Sequence, residues 1–105
     1  MNEQDTHIAK LIRKEIKNLE PGAQIILFGS RARGDSKKDS DWDVLILTDS
    51  SDVYSVEISL RDKLFDLEIE TGEVFSIFVY NKKDWNTRHK VTPLYHSISN
   101  EGIKL

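Results

Sequence analysis

The sequence predicts a small α/β (α+β) fold, in which helices pack on one mixed β-sheet, for a single domain spanning residues 1–105. Two observations predict this class of fold. Stretches with helical spacing of apolar residues alternate with short, continuously apolar runs, and glycine or proline separates most of them. The resulting order, three helix–strand pairs followed by two helices, suits a sheet with helices on its faces.

The first two predicted strands flank the most unusual part of the chain. Apolar residues at helical spacing predict an amphipathic helix from about residue 4 to residue 19, which Pro21 and Gly22 end. A short buried strand is predicted over residues 24–28. The second strand, over residues 44–47, is apolar on both faces, as expected for a central strand of a sheet.

The second half of the chain predicts another helix–strand pair and two final helices. A helix that follows cap candidates at residues 50–52 turns apolar side chains of residues 53–67 inward and ends at Gly72. Residues 74–80 form the third strand, and Asn81 caps a short helix. The last helix is predicted to be amphipathic, with Thr92 as its cap and Pro93 at its first position. Gly102 is its expected stop, and Ile98 and Ile103 are among its apolar positions.

Composition limits the classes of function. The formal net charge is −3, which argues against a general nucleic-acid binder, because such proteins present a basic surface. The chain contains no cysteine, which excludes disulfides and thiolate metal sites, and its three histidines lack metal-ligand spacing. No apolar run reaches membrane-spanning length, and the first residues lack the apolar core of a signal peptide. We therefore expect a soluble, cytoplasmic protein.

Two aspartates stand directly before the second strand. Asp41 and Asp43 are two residues apart, so in extended backbone their side chains lie on the same face. Two like charges beside an apolar strand are costly unless a cation lies between them, and carboxylate oxygens suit Mg²⁺. The alternative interpretation is a polar turn, with Asp43 in an ion pair with Arg31 or Arg33.

A glycine-rich turn precedes the aspartates and follows the first strand. Gly29 lets the backbone approach a ligand closely, and Ser30 offers a hydroxyl and a backbone N–H at the start of a short helix. Arg31 and Arg33 can add charge-assisted hydrogen bonds to a phosphate. The alternative is a glycine turn followed by solvated arginines. Turn, arginines and paired aspartates in this order indicate a phosphate cradle beside a metal site.

This combination of residues resembles a known signature. The run Gly29-Ser30-Arg31-Ala32-Arg33-Gly34, followed by Ser40-Asp41-Trp42-Asp43, resembles the G-S-x-A-x-G…S-D-x-D signature of the DNA polymerase β-like nucleotidyltransferase superfamily. Every fixed position of the signature is matched. The short chain resembles the minimal nucleotidyltransferases of that superfamily, and the order of helix, strand and turn supports the resemblance from about residue 8 to residue 80.

The resemblance implies a reaction and a set of residues for it. Nucleotidyltransferases move a nucleoside monophosphate, here expected to be AMP from ATP, to a hydroxyl group, with two Mg²⁺ ions holding the triphosphate and the attacking oxygen. Asp41 and Asp43 would ligate the metal and be the catalytic residues. The residues implied to bind the nucleotide phosphates are Gly29, Ser30, Arg31 and Arg33, of which Arg33 is equally able to be structural.

The third carboxylate of the superfamily is missing from its expected place. That group lies on the next core strand, completes one metal site and helps deprotonate the acceptor. Ser76 is the only polar residue inside that strand and is expected at the vacant position, although serine is a poor metal ligand and a poor base. The two-metal site is then incomplete. Either Glu70 or Glu73 substitutes, a partner supplies the group, or activity is weak or lost.

Two functional hypotheses follow from these residues. The first is an Mg²⁺-dependent enzyme with an open cleft, for which the family implies a small helical HEPN-type partner protein and a role as the antitoxin that adenylylates it. The second is a catalytically impaired module that neutralises a partner or binds nucleotide without chemistry. The intact Asp41 and Asp43 favour the enzyme, and Ser76 favours the module. We expect no membrane association, and a homo-oligomer is left open.

The two tryptophans are expected to be structural. Trp42 lies between the aspartates, so alternation points its ring to the opposite face, where it packs under the helices. Trp85, with Phe78 and Tyr80, is expected to form core at a strand-to-helix junction rather than a platform for adenine.

Overall fold

Helices and strands alternate along the chain in the computed structural model, which describes residues 1–105. The helices are α1 (Glu3–Leu19), α2 (Ser30–Arg33), α3 (Val53–Thr71), α4 (Lys82–Asn86) and α5 (Pro93–Glu101), with a 3₁₀ turn at Arg88–Val91 between the last two. The strands are β1 (Gln24–Phe28), β2 (Trp42–Thr48), β3 (Phe75–Asn81) and β4 (Ile103–Lys104). None of the helices combines the length and the apolar character needed to cross a membrane.

The four strands form one mixed sheet in the order β3-β2-β1-β4. The crossover through α3 makes β3 parallel to β2, whereas β1 is antiparallel to both β2 and β4. Because β2 has a neighbour on each side and is covered on both faces, residues 44–47 are all buried. This position in the sheet explains the continuously apolar run in the sequence.

The larger part of the core lies between the sheet and the helices α1 and α3. Asn2 caps the start of α1, because its side chain accepts a hydrogen bond from the Asp5 N–H at 2.8 Å. Trp42 is fully buried in this layer, which confirms the prediction that it packs under the helices. The helix residues buried against the sheet are Ile8, Ala9, Ile12, Ile16, Leu60, Leu64 and Leu67.

A smaller apolar cluster covers part of the opposite face of the sheet. It is built from Phe28, Leu45, Leu47, Trp85 and Ile98. The Trp85 ring lies 5.2 Å from that of Tyr80, centroid to centroid, which confirms that it belongs to a core at the strand-to-helix junction. Asp43 and Ser76 are on this same face, at the end of the sheet where β2 and β3 begin, and both are partly exposed.

The end of the chain differs from the prediction, which gave Ile103 to the last helix. Gly102 ends α5 with extended backbone (φ −67°, ψ 144°), so that Ile103 and Lys104 form β4 on the edge of β1. A two-residue strand is too short to show any periodicity, so the sequence pattern does not reveal it. The other predicted helices and strands are confirmed, and β2 begins slightly earlier than expected.

Candidate functional site

The strand register brings the end of β1 together with the starts of β2 and β3. Asp43 pairs with Phe28 of β1 and with Ser76 of β3. The Ser76 hydroxyl donates a hydrogen bond to Asp41 Oδ2 at 3.2 Å. We call Asp41 and Asp43 the aspartate pair. Ser76 faces this pair, as alternation of side chains along β3 predicts.

Gly29 lies against the Asp43 carboxylate. Its φ of +75° falls in the left-handed region that favours glycine. A Cβ added to this residue would overlap Asp43 Oδ2 and lie 3.1 Å from Asp43 Cγ. The turn after β1 can approach the carboxylate this closely only because the residue has no side chain.

The aspartate pair is electrostatically unfavourable. Burial raises the pKa of Asp43, and the neighbouring charge of Asp41 raises it further; Glu101 acts in the same direction, and Arg33 lowers it. Neither Arg31 nor Arg33 forms an ion pair with Asp43, so the alternative interpretation of the pair as a simple salt bridge is not what the fold contains. A bound cation would relieve this repulsion.

The Ser30 hydroxyl and the Arg33 guanidinium are the polar side-chain groups next to the Gly29 turn. Ser30 is partly exposed and begins α2 directly after Gly29. The Arg33 side chain is 46% exposed and pairs with Asp35 at 3.1 Å and with Glu101 at 3.2 Å. Exposed ion pairs contribute little to stability, so Arg33 can exchange these partners for another anion at low cost.

Arg31 is not brought to this site, which corrects the prediction that it contacts phosphate. Its side chain is only 7% exposed, and its guanidinium lies 5.0 Å from the centroid of the Trp42 ring, on the α1 and α3 side of the sheet. It donates to the Ser40 carbonyl at 2.9 Å and pairs with Asp5 and Glu73 at 3.4 Å. Because its donors are occupied inside the protein, Arg31 anchors α2 to the loop before β2.

The two glutamates considered as substitutes for the third carboxylate also lie elsewhere. Glu73 accepts hydrogen bonds from Trp42 Nε1 at 3.2 Å and from Arg31 at 3.4 Å, on the opposite side of the sheet. Glu70 is exposed on α3 and makes no ion pair. Neither side chain reaches the aspartate pair, so within this chain Ser76 is the group that faces it on β3.

Glu101, at the end of α5, is a site residue that sequence reasoning missed. Its Oε1 accepts a hydrogen bond from the Gly29 N–H at 3.3 Å, and both its oxygens lie within 3.4 Å of Arg33 Nη1. No spacing in the sequence could have indicated this contact, because it depends on how α5 and the edge strand β4 return to β1. The carboxylate occupies the same turn that the sequence assigns to phosphate.

The donor set fits one hard cation that is only partly ligated by protein. Asp41 and Asp43 converge on the site, but no group of three metal-ligating His, Cys, Asp or Glu side chains is found anywhere in the protein. Mg²⁺ suits such a site, because it keeps water ligands and takes further oxygens from substrate phosphates. The Ser76 hydroxyl, a weak ligand, stands beside the pair.

Comparison with models of protein families shows which family this chain belongs to. The model of the nucleotidyltransferase domain family matches residues 9–98. The chain therefore belongs to the nucleotidyltransferase domain family, which confirms the superfamily indicated by the signature over residues 29–43. A search of curated proteins finds no match to the chain.

Two solved structures have a similar fold. One, a toxin–antitoxin with AMP-PNP, is 20% identical with a TM-score of 0.65, and the similarity covers 99% of this chain and 72% of that chain. The other, a protein provisionally assigned as a nucleotidyltransferase, is 25% identical with a TM-score of 0.57, over 78% of this chain and 87% of that chain. Both support the helix and sheet arrangement described above.

The raised pKa of Asp43 predicts that Asp43→Asn stabilises the metal-free protein. A carboxyl whose pKa is higher in the folded than in the unfolded state costs stability as the pH rises through that pKa, and the cost is complete above it. Thermal unfolding without divalent cations should therefore show the variant gaining over the wild type as the pH rises above about 4, the ordinary pKa of an aspartate. Asp66→Asn, an exposed change on α3, should show no such gain. Lower stability of Asp43→Asn at neutral pH would contradict the prediction.

Two glycines with a positive φ provide a test of the close approach at Gly29, although ψ is −159° at Gly29 and 12° at Gly34. Gly34 has a φ of +81° and open space where a Cβ would lie, whereas Gly29 has Asp43 in that position. Gly34→Ala should cost about 1 kcal/mol of unfolding free energy from backbone strain alone. Gly29→Ala should cost roughly 1–3 kcal/mol more, because the carboxylate must move and because a positive φ with extended ψ is essentially restricted to glycine. Equal losses in urea unfolding would show that Gly29 and Asp43 are not in contact.

Proposed function

We propose that this protein is an Mg²⁺-dependent nucleotidyltransferase that transfers a nucleoside monophosphate, AMP from ATP, to a hydroxyl group. The observation that carries the proposal is the contact between two segments of the signature: the Asp43 carboxylate lies against the Gly29 turn. A metal on the aspartate pair and a phosphate on the turn would then be neighbours, as a metal-bound nucleotide requires.

Each residue of the site has a role in this proposal. Asp41 and Asp43 hold Mg²⁺, which when bound neutralises charge on the phosphates and the attacking oxygen. The Gly29–Ser30 turn offers a backbone N–H and a hydroxyl to the β- and γ-phosphates. Arg33 pairs with the departing pyrophosphate, since it is the signature arginine that remains exposed on this side.

The reaction requires a place for one proton. A bond forms between the acceptor oxygen and the α-phosphorus, the bond from that phosphorus to the β-phosphate oxygen breaks, and pyrophosphate leaves while the hydroxyl loses its proton. Ser76 cannot accept this proton as a carboxylate would. Asp43 and Glu101 are the two carboxylates in contact with the turn. Because Asp43 is proposed to hold the metal and Glu101 pairs with Arg33, we propose that the proton passes to water or to a base of the partner protein.

A protein acceptor is favoured over a free small molecule. The aspartate pair is at one end of the sheet, where β2 begins, and Asp41 is exposed to solvent. The similarity in fold to a toxin–antitoxin solved with AMP-PNP supports a role beside a partner protein. We therefore propose that the acceptor hydroxyl is on a small helical HEPN-type toxin, and that the chain acts as its antitoxin in the cytoplasm.

A specific observation also favours a second candidate function. Ser76 faces the aspartate pair in the register position next to Asp43, and no cluster of three metal ligands exists. A chain that binds Mg²⁺ and nucleotide weakly through two carboxylates could neutralise its partner by binding alone. In that case Asp43→Asn would leave neutralisation intact, whereas in an enzyme it would abolish it.

The first function is tested by incubating the protein with Mg²⁺, ATP and a small helical HEPN-type protein as the candidate acceptor, followed by intact-mass spectrometry. We expect the partner to gain the mass of AMP, and Asp43→Asn to lower the yield by at least about a hundredfold, as for removal of a group that acts on the reacting atoms. Asp66→Asn, the same chemical change on the exposed side of α3, should keep full activity. Metal-dependent ATP binding without any mass change would instead support the binding module.

A carboxylate introduced at position 76 tests whether the aspartate pair binds Mg²⁺. Ser76→Asp would add a third oxygen ligand facing the aspartate pair, so Mg²⁺ affinity should rise by roughly tenfold, measured by isothermal titration. Without metal the third charge should lower the melting temperature. Ser59→Asp, an exposed position on α3, serves as the control and should change neither quantity. An unchanged Mg²⁺ affinity in Ser76→Asp would contradict metal binding at the pair.

A further inference from the structure

The Gly29 turn already holds an anion that belongs to the protein itself. Glu101 Oε1 accepts a hydrogen bond from the Gly29 N–H at 3.3 Å, and Arg33 Nη1 donates to Glu101 Oε2 at 3.2 Å. The Glu101 side chain is 24% exposed, so it is largely enclosed by the turn and by α5. A carboxylate is thus bound by a backbone N–H and a guanidinium, which are the two kinds of donor that a phosphate uses.

The fold holds Glu101 in this position from both sides. On its N-terminal side, Ile98 of α5 is buried in the smaller apolar cluster. On its C-terminal side, Ile103 pairs with Leu27 of β1, two residues before Gly29. Gly102 has no room for a side chain, because a Cβ would lie 2.6 Å from the Ile98 carbonyl oxygen and 2.7 Å from Ile26 Cγ2. The contact is therefore a product of packed elements and not of a freely moving tail.

We infer that Glu101 competes with the nucleotide triphosphate for the Gly29–Ser30 turn and Arg33, and so sets the affinity of the site for phosphate. This inference rests on the proposed function. A phosphate on the turn needs the Gly29 N–H and the exposed face of Arg33, and both are in contact with Glu101. Phosphate and carboxylate cannot share the same donors, and their like charges repel. The carboxylate must therefore rotate away before triphosphate binds.

The same residue also acts on the metal side of the site. Glu101 accepts a hydrogen bond from the Gly29 N–H, and the Asp43 carboxylate lies against Gly29, so both carboxylates are next to the same turn. Rotation of Glu101 away from the turn would therefore lower the negative charge around the aspartate pair as well as free the phosphate donors. Loading of the nucleotide and the charge of the pair are coupled through one side chain.

The test is isothermal titration of inorganic tripolyphosphate, and separately of ATP with Mg²⁺, into the wild type and Glu101→Gln. Loss of the competing charge should tighten the binding of both by about fivefold. Glu101→Ala, which removes the hydrogen-bond acceptor as well, should bind at least as tightly. Glu3→Gln, the same charge change on an exposed residue of α1, should leave the affinity unchanged. Circular dichroism establishes that the variants are folded.

The possible results separate this inference from the proposed function. Tighter binding in Glu101→Gln, including binding that only the variant shows, supports competition. Binding to the wild type that weakens or stays equal in Glu101→Gln overturns it and makes Glu101 a contributor to the site or a bystander, while nucleotidyl transfer stands. If neither protein binds tripolyphosphate or ATP, both the inference and the proposed function are overturned.

Discussion

The contact between the Asp43 carboxylate and the backbone of Gly29 is the constraint on which the site depends. It depends on the antiparallel register of β1 and β2, since the pairing of Phe28 with Asp43 places the turn beside the carboxylate. It also requires glycine at the turn. Through the parallel pairing of β2 and β3, the same register brings Ser76 to the pair. The register of three strands therefore places these groups at one end of the sheet.

One face of the sheet contributes mainly to stability, and the other face carries the candidate site. On one face, Trp42 is fully buried under α1 and α3, with Arg31 over its ring and Glu73 on its indole N–H. This buried, hydrogen-bonded group anchors the start of β2. On the other face, Asp43 is partly buried at a cost that its raised pKa reflects. Adjacent residues of a strand point to opposite faces. Burial of Trp42 on one face therefore helps to hold Asp43 in place on the other face.

Most of the fold could be predicted from local patterns, whereas the site could be predicted only in part. The faces of Asp41, Asp43 and Ser76 follow from alternation within strands, and that prediction agrees with the register. The roles of the signature arginines do not follow, since a four-residue helix has no periodicity to show which side is buried: Arg31 is the structural one and Arg33 is exposed. Glu101 depends on long-range packing of α5 and β4, which no motif encodes.

The residues at positions 76 and 101 act on the proposed function in the same direction. Serine at position 76 removes a metal ligand from the aspartate pair, and the Glu101 carboxylate adds an anion to the turn proposed to bind phosphate. Both features would lower the affinity of this domain for a metal-bound triphosphate.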